Sequence, residues 1–367
     1  MTSFIASACR SPVAPRGGAL TGMALHDLAA PVIRAALQEA GLGPQHVDEL
    51  ILGNALGGGG NPARIAALAA GLPEHVAGLS TDRQCVGGLD AILLAAMMVE
   101  SGHADVVVAG GAESYSRRPL RHRTFADGRL PEPYDQAPFT PWPDRDPDMA
   151  TAAEKLAKSQ GITRQAQDNW AVDSHHKALA RPAPASEIIP IADLHSDNFA
   201  RKLTPALCKR AKVITGGITA ANAAVAADGA AFCVVVSQKV AARLTVSMAR
   251  IVGGATRGGA PDCPGLAPVA AIEASLTRYD LTADDINTAE IMEAYAVQAI
   301  ACVRGAGLDP ARVNLGGGAL ARGHPIGASG AINAVRLFHE LQRSGGGTGL
   351  AAIAAAGGIG TALLLAA

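Results

Sequence analysis

The chain has 367 residues, 49% of them hydrophobic and 17% charged, with a positive mean hydropathy; this composition can bury a large core and excludes a disordered or low-complexity polymer. Thirty-one Lys and Arg against 32 Asp and Glu leave a formal charge of −1, which excludes a general nucleic-acid binder and makes any anion site a local feature. Six scattered cysteines without a C-x-x-C pair (Cys9, Cys85, Cys208, Cys233, Cys263 and Cys302) fit reduced thiols better than a disulfide framework.

The first stretch, "MTSFIASACRSPVAP", lacks the basic and apolar regions of a secretory leader, and the closing "LLLAA" carries no peroxisomal tripeptide. No apolar run reaches the roughly 20 uninterrupted residues of a membrane helix. A cytoplasmic protein without membrane contact is therefore expected.

In chain order, apolar residues at Leu25, Leu28, Ala29, Val32, Ile33, Ala36, Leu37 and Ala40 predict an amphipathic helix that Gly41 closes. A strand follows in "VDELILGNAL". Next comes "QCVGGLDAILLAAMMVESG", a helix apolar on every face with Cys85 at its mouth. The short apolar run "DVVVAGG" predicts a strand of a parallel sheet covered on both faces, because an alternating strand would leave one face polar.

Residues 119–227 are richer in proline, arginine and aromatics and read as a loop-rich insertion. It holds two helices of its own in "MATAAEKLAKSQGITRQAQDNWAVDSHHKALA", broken at Gly161 and restarted with Thr163 as N-cap. Beyond it the earlier order returns. "APVAAIEASLTRYDL" is a helix and "DINTAEIMEAY" leads into a strand; "HPIGASGAINAVRLFHELQRSGGGTGLAAIAAAGGIG" then repeats reactive residue, buried helix, short strand and double glycine. Two similar α/β halves are expected, residues 1–118 completed by about 228–247, and residues 248–367.

Cys85 precedes Gly87 and Gly88 at a helix head, where free N–H groups and the helix dipole favour a thiolate and the glycines admit a ligand close to the backbone. An inert buried cysteine fits the position as well. "NLGGGALARGHPIGASG" is more specific: its glycines and Pro325 frame a tight loop that fixes His324 at a helix entrance. No further metal-type ligands stand near it, so no metal site is expected. Glu113 in "AGGAES" reads as a turn with a solvated carboxylate or as part of a site.

In this order the motifs "QCVGG", "GGAES", "MATAAEKLA", "TAANAAVAADGAA", "MEAYA", "GHPIGASG" and "AAAGGIGTALLL" resemble the thiolase family along nearly the whole chain. The resemblance implies the thiolase fold, two βαβαβαββ halves in α-β-α-β-α layers with an inserted loop domain. It implies that acyl-CoA acylates Cys85, that His324 activates the thiol and helps to bind the thioester oxygen, and that the backbone at Ala356 and Gly357 serves the oxyanion. CoA and acyl-CoA are then substrates, with no permanently bound cofactor. Met149 becomes a pocket wall, Ala223 and Ala224 a pantetheine contact, and the insertion, with Arg201, Lys209 and Arg210, the seat of CoA. The arginines at 117, 118, 121, 123 and 129 add to that local positive character. A homodimer or homotetramer is also implied.

The sequence departs from the family at several positions, among them Ala224 for a serine of the pantetheine loop and Ala356 for a glycine, and two departures bear on catalysis. Its usual "NEAF" asparagine is Met292, and its second catalytic cysteine, the acid/base of Claisen chemistry, is Ala354. The expected function is CoA-dependent acyl transfer through acyl-Cys85. The alternatives are transfer to a self-activated acceptor or from a decarboxylating donor, and a non-catalytic subunit that binds acyl-CoA.

Overall fold

The structure, a computed structural model, describes residues 2–367. The first half runs β1 (Ser3–Arg10), α1 (Leu25–Glu39), β2 (Glu49–Gly53), α2 (Pro62–Ala69), β3 (Leu79–Thr81), α3 (Gly87–Glu100) and β4 (Val106–Ser114). The insertion then contributes α4 (Met149–Ser159), α5 (Arg164–Ala180) and a small hairpin, Arg121–Arg123 with Glu132–Tyr134. β5 (Ala227–Ser237) returns to the first half. The second half runs β6 (Ala249–Gly258), α6 (Ala267–Arg278), β7 (Thr288–Ile291), α7 (Ala296–Gly305), α8 (Ile326–Arg343), β8 (Thr348–Ala355) and β9 (Ile359–Ala366).

The duplication read in the sequence is visible as topology. One half orders its strands β3-β2-β4-β5-β1 and the other β7-β8-β9-β6; a single bridge between Ala289 and Val313 stands where a counterpart of β3 would lie. The halves meet through two residue pairs of β1 and β6, Phe4 with Arg250 and Ile5 with Ala249. α1 covers the outside of the first half and α6 that of the second, while α3 and α8 lie between and touch strands of both. That is a five-layer α-β-α-β-α stack.

The sheets are mixed rather than parallel. β2 pairs in parallel with β3 and β4, and β7 with β8, but β4–β5, β1–β5, β8–β9 and β6–β9 are antiparallel. The uninterrupted apolar runs come from burial on both faces, as in β4, where every residue is buried; strand direction does not enter. Burying each Val or Leu of such a strand stabilises the fold by about 1.5–3 kcal/mol, so the central strands anchor everything that leaves their ends.

α1 ends as its pattern requires, with Ala40 as cap and Gly41 at φ 69°. In the insertion, Thr163 Oγ1 accepts from the Ala166 N–H and caps α5.

Candidate active site

α3 and α8, the two helices at the centre of the stack, cross at their first turns. The side that a Cβ on Gly88 would fill lies 2.7 Å from the Gly327 carbonyl oxygen and 3.0 Å from Ala331 N; on Gly111 it would lie 2.0 Å from the same oxygen. Gly88 is therefore needed for the contact between the two helices, and Gly111 for the contact of β4 with the first turn of α8. The ligand approach read into Gly87 and Gly88 from the sequence is not what fills that space. The consequence is chemical, because each helix mouth carries one reactive group.

Cys85 sits in the turn between β3 and α3, next to Gln84 at φ 51°, a strained left-handed backbone outside glycine. His324 follows Gly323, whose φ of 116° suits only glycine and whose missing Cβ leaves room for Ala227. The His324 N–H donates to Val225 O at 2.8 Å. The result is His324 Nε2 at 3.3 Å from Cys85 Sγ, joining residues 239 positions apart.

Ser329 completes the pair. Its hydroxyl donates to Pro325 O at 2.9 Å and stands 2.6 Å from His324 Nδ1. A hydroxyl has one proton; with that proton on Pro325 O, Ser329 Oγ accepts from Nδ1–H. This network assigns the Nδ1–H tautomer and leaves the Nε2 lone pair facing the thiol.

Burial pushes the Cys85 thiol up to about 12, against the opposing influence of the Cys85 and Ala356 backbone N–H groups. Burial also pushes His324 down to about 4. The resting pair is thus thiol and neutral imidazole, not the standing thiolate expected from the helix mouth. Desolvation of an apolar site outweighs the dipole here, and the neutral Nε2 is the acceptor within reach of the thiol proton.

Glu113, which the sequence left open as a solvated turn residue, is 1% exposed. Its carboxyl accepts from Asn54 Nδ2 at 2.6 Å, Ala55 N at 3.1 Å, Leu56 N at 3.3 Å and Gly327 N at 2.9 Å. Burial raises it to about 7 despite those donors. It ties the end of β4, the loop after β2 and the first turn of α8, so it positions the helix that carries His324. Asn54 and Ser329 escaped the sequence reading as site residues; of the two, Ser329 alone carried a signal, its place five residues after His324 in "GHPIGASG".

A cavity of about 370 Å³ opens over Cys85 and His324. Met149, Ala224, Ala354 and Ala356 line it as the sequence suggested, together with Tyr295 and Arg121, which the sequence had not placed there. Met292 is 1% exposed in the core and is not on the wall. Ala223 pairs with Tyr295 through the backbone, and Gly357, at φ 78°, lies in the turn between β8 and β9; neither lines the cavity. Arg201, Lys209 and Arg210 are exposed on the insertion and also lie off the wall.

Residues 3–239 match the family description of the thiolase N-terminal domain and residues 245–367 that of the thiolase C-terminal domain. An acetyl-CoA acetyltransferase of Cupriavidus necator is 38% identical over 399 residues, covering 98% of each chain. The solved acetyl-CoA acetyltransferase of Bacillus anthracis superposes with a TM-score of 0.93 at 35% identity, covering 100% of this chain and 98% of that one. A thiolase of Ascaris suum, Acat5, solved in complex with coenzyme A, superposes at 0.91 with 32% identity and full coverage of both chains.

Proposed function

This chain belongs to the thiolase family, and from that premise we propose that it is a CoA-dependent acyltransferase working through an acyl thioester on Cys85. One observation carries the reading: the Cys85–His324 contact of 3.3 Å with the Cys85 and Ala356 N–H groups beside it. Sγ attacks the carbonyl carbon of acyl-CoA while Nε2 takes the thiol proton. The two N–H groups hold the oxyanion, and its collapse expels the CoA thiolate, to which the imidazolium returns the proton. The products are acyl-Cys85 and CoA.

The second half-reaction has fewer helpers. Ala354 faces the cavity, a methyl where the family carries its second cysteine. Among the described residues, Cys85 is the only cysteine on the wall. That favours acceptors that bring their own nucleophilicity, or donors that generate a carbanion by losing carbon dioxide, over α-proton abstraction from acetyl-CoA. We also expect paired subunits, since β3 at the sheet edge leaves one side without a strand partner; light scattering of the purified protein checks it.

Incubation with acetyl-CoA and longer acyl-CoAs followed by intact-mass measurement tests the main reading. The expected result is one acyl adduct that maps to Cys85 and disappears in Cys85→Ser. Absence of any adduct would favour the non-catalytic, acyl-CoA-binding subunit.

A further inference from the structure

We propose that Arg121 forms a subsite for a carboxylate at the far end of the acyl group, so that the preferred donors are CoA thioesters of dicarboxylic acids. The inference rests on the acyl-Cys85 reading and names its substrate class.

Arg121 starts the hairpin of the insertion and lines the same cavity as Cys85 and His324. It is half-buried, and its side chain makes one hydrogen bond, from Nη2 to Ala55 O at 3.2 Å. Ala55 N in turn donates to Glu113 Oε2, which also holds Gly327 at the start of α8. The guanidinium is therefore anchored to the frame of the catalytic pair rather than to the outer surface. Among the described residues it has no carboxylate within ion-pair distance, so four of its five N–H donors have no protein acceptor.

Its neighbours differ. Arg118 pairs with Asp135 and stacks on Tyr115 at 4.6 Å, and Arg129 stacks on Phe125 at 3.5 Å. Two carboxylates do line the cavity, but Asp135 is already matched by Arg118, and Asp82 is exposed and takes the Gln84 N–H. A second hollow, of about 330 Å³, shares Arg121 and Asp135 with the main cavity and adds Arg118 and His122. Arg118 Nη1 is buried there without a partner. This end of the cavity has a surplus of charged donors, whereas Met149, Ala224, Ile326 and Ala354 give much of the remaining wall an apolar lining, interrupted by neutral groups such as Gln84 and Gln298.

An acyl chain lying along those walls can meet Arg121 at its end. An alkyl terminus would strip water from the guanidinium and return nothing; a carboxylate would return two charge-assisted hydrogen bonds. The same cation would also suit a phosphate of CoA, which is the role the sequence suggested for the arginine cluster. The arms of the test separate the two sources.

Acylation of Cys85 is followed by intact mass with glutaryl and adipyl donors against pentanoyl and hexanoyl donors of equal chain length. Each acyl group is supplied both on CoA and on N-acetylcysteamine, which has no phosphates; Cys85→Ala reports any acylation elsewhere. The expected result is about tenfold or faster acylation by the dicarboxylic donors on both carriers. Arg121→Met should bring the ratio of acid to alkyl rates to about one on both carriers, and Arg121→Lys should restore part of it. Equal rates for acid and alkyl donors in the unaltered protein would overturn the proposal, with no dependence on how a variant folds. So would an Arg121→Met effect confined to CoA carriers and blind to the acyl group, which would assign the cation to phosphate. Acylation by alkyl donors alone would overturn it and leave acyl-Cys85 standing; no adduct from any donor would overturn both.

Discussion

The two central helices occupy equivalent places in the duplicated halves, yet they are held by different physics. α3, which follows Cys85, presents Leu89, Ala91, Ile92, Ala95 and Val99 to the core and buries no charge. α8, which follows His324, buries Asn333, Arg336, His339 and Glu340. Arg336 donates to Glu187 Oε2 at 2.7 Å and to Glu340 Oε1 at 2.8 Å, and Glu187 also takes Arg10 Nε at 2.7 Å. These arginines lower Glu187 to about 2 although it is buried. The helix behind Cys85 is thus held mainly by shape, with Asp90 at its edge accepting from Arg83, Thr256 and Thr361, and the helix behind His324 by shape and by a fully buried ionic network. One duplicated frame supplies a position twice, and side-chain chemistry makes the copies unlike. The same contrast holds at the strand ends, where β4 ends on the Glu113 clamp and β8 ends beside the methyl of Ala354.

The largest effect that would sharpen the contrast is a gain. Ala354→Cys places a thiol on the cavity wall opposite an intact acylation apparatus, and a general acid or base is worth typically 10² to 10⁴ in rate. Acetoacetyl-CoA thiolysis or synthesis should rise within that range. Ordinary thiolase turnover in the unaltered protein would show that another group already supplies the base. Met292→Asn should add little and lower stability, because Met292 is packed in the core and an amide there needs hydrogen-bond partners.

Next comes the ionic network. Arg336→Met leaves Glu187 and Glu340 buried with one cation fewer and should destabilise the protein by about 3–5 kcal/mol, read by chemical denaturation. A core trim on the other helix, Ile92→Val, should cost only about 0.5–1.5 kcal/mol. Equal losses would erase the distinction between the helices.

A smaller effect tests the crossing itself. Gly88→Ala drives a methyl into the backbone of Gly327 and Ala331 and should cost about 1–3 kcal/mol, with a slower acylation of Cys85 as the helix mouths part. Gly58→Ala, where a Cβ meets nothing within 4 Å, should leave the melting temperature unchanged. A harmless Gly88→Ala would mean that the crossing has slack.

Periodicity exposed the elements that depend on local pattern: the α1 stripe from Leu25 to Leu37, the stop at Gly41 and the cap at Thr163 all stand where the sequence puts them. The order of motifs also exposed Cys85 and His324. Glu113 stayed ambiguous because its meaning lies in donors at Asn54, Ala55, Leu56 and Gly327, up to 214 positions away, and no local window contains them. Strand direction was misread because a run such as Val106–Ala109 records burial on two faces, and both parallel and antiparallel strands can be buried so. Arg121 looked like one cation of a surface cluster; the hairpin that turns it inward has little periodicity to read. The thiolate expected of Cys85 failed for a related reason, since the apolar surroundings that decide its proton come from Ala224, Ile326 and Ala354, each distant in sequence.

Ser329 separates the two copies at the finest scale, because α3 has no side chain in the same role: its first turn holds Gly87 and Gly88, whereas the first turn of α8 reaches back to its own reactive residue. Ser329→Ala removes the acceptor of His324 Nδ1–H, so the backbone keeps its place through the His324 N–H bond to Val225 O but the ring loses the bond that fixes the tautomer. One such hydrogen bond is worth about 0.5–1.5 kcal/mol, or roughly twofold to tenfold in the rate of Cys85 acylation. The rate of the unaltered protein should stay level through neutral pH and fall as pH drops toward about 4, where the imidazole takes a proton and can no longer accept the thiol's. The variant should show the lower plateau with the same fall. An unchanged plateau in stopped-flow acylation would mean that Nε2 faces the thiol for a reason other than Ser329, and the base would then owe its orientation to backbone alone, as the nucleophile does.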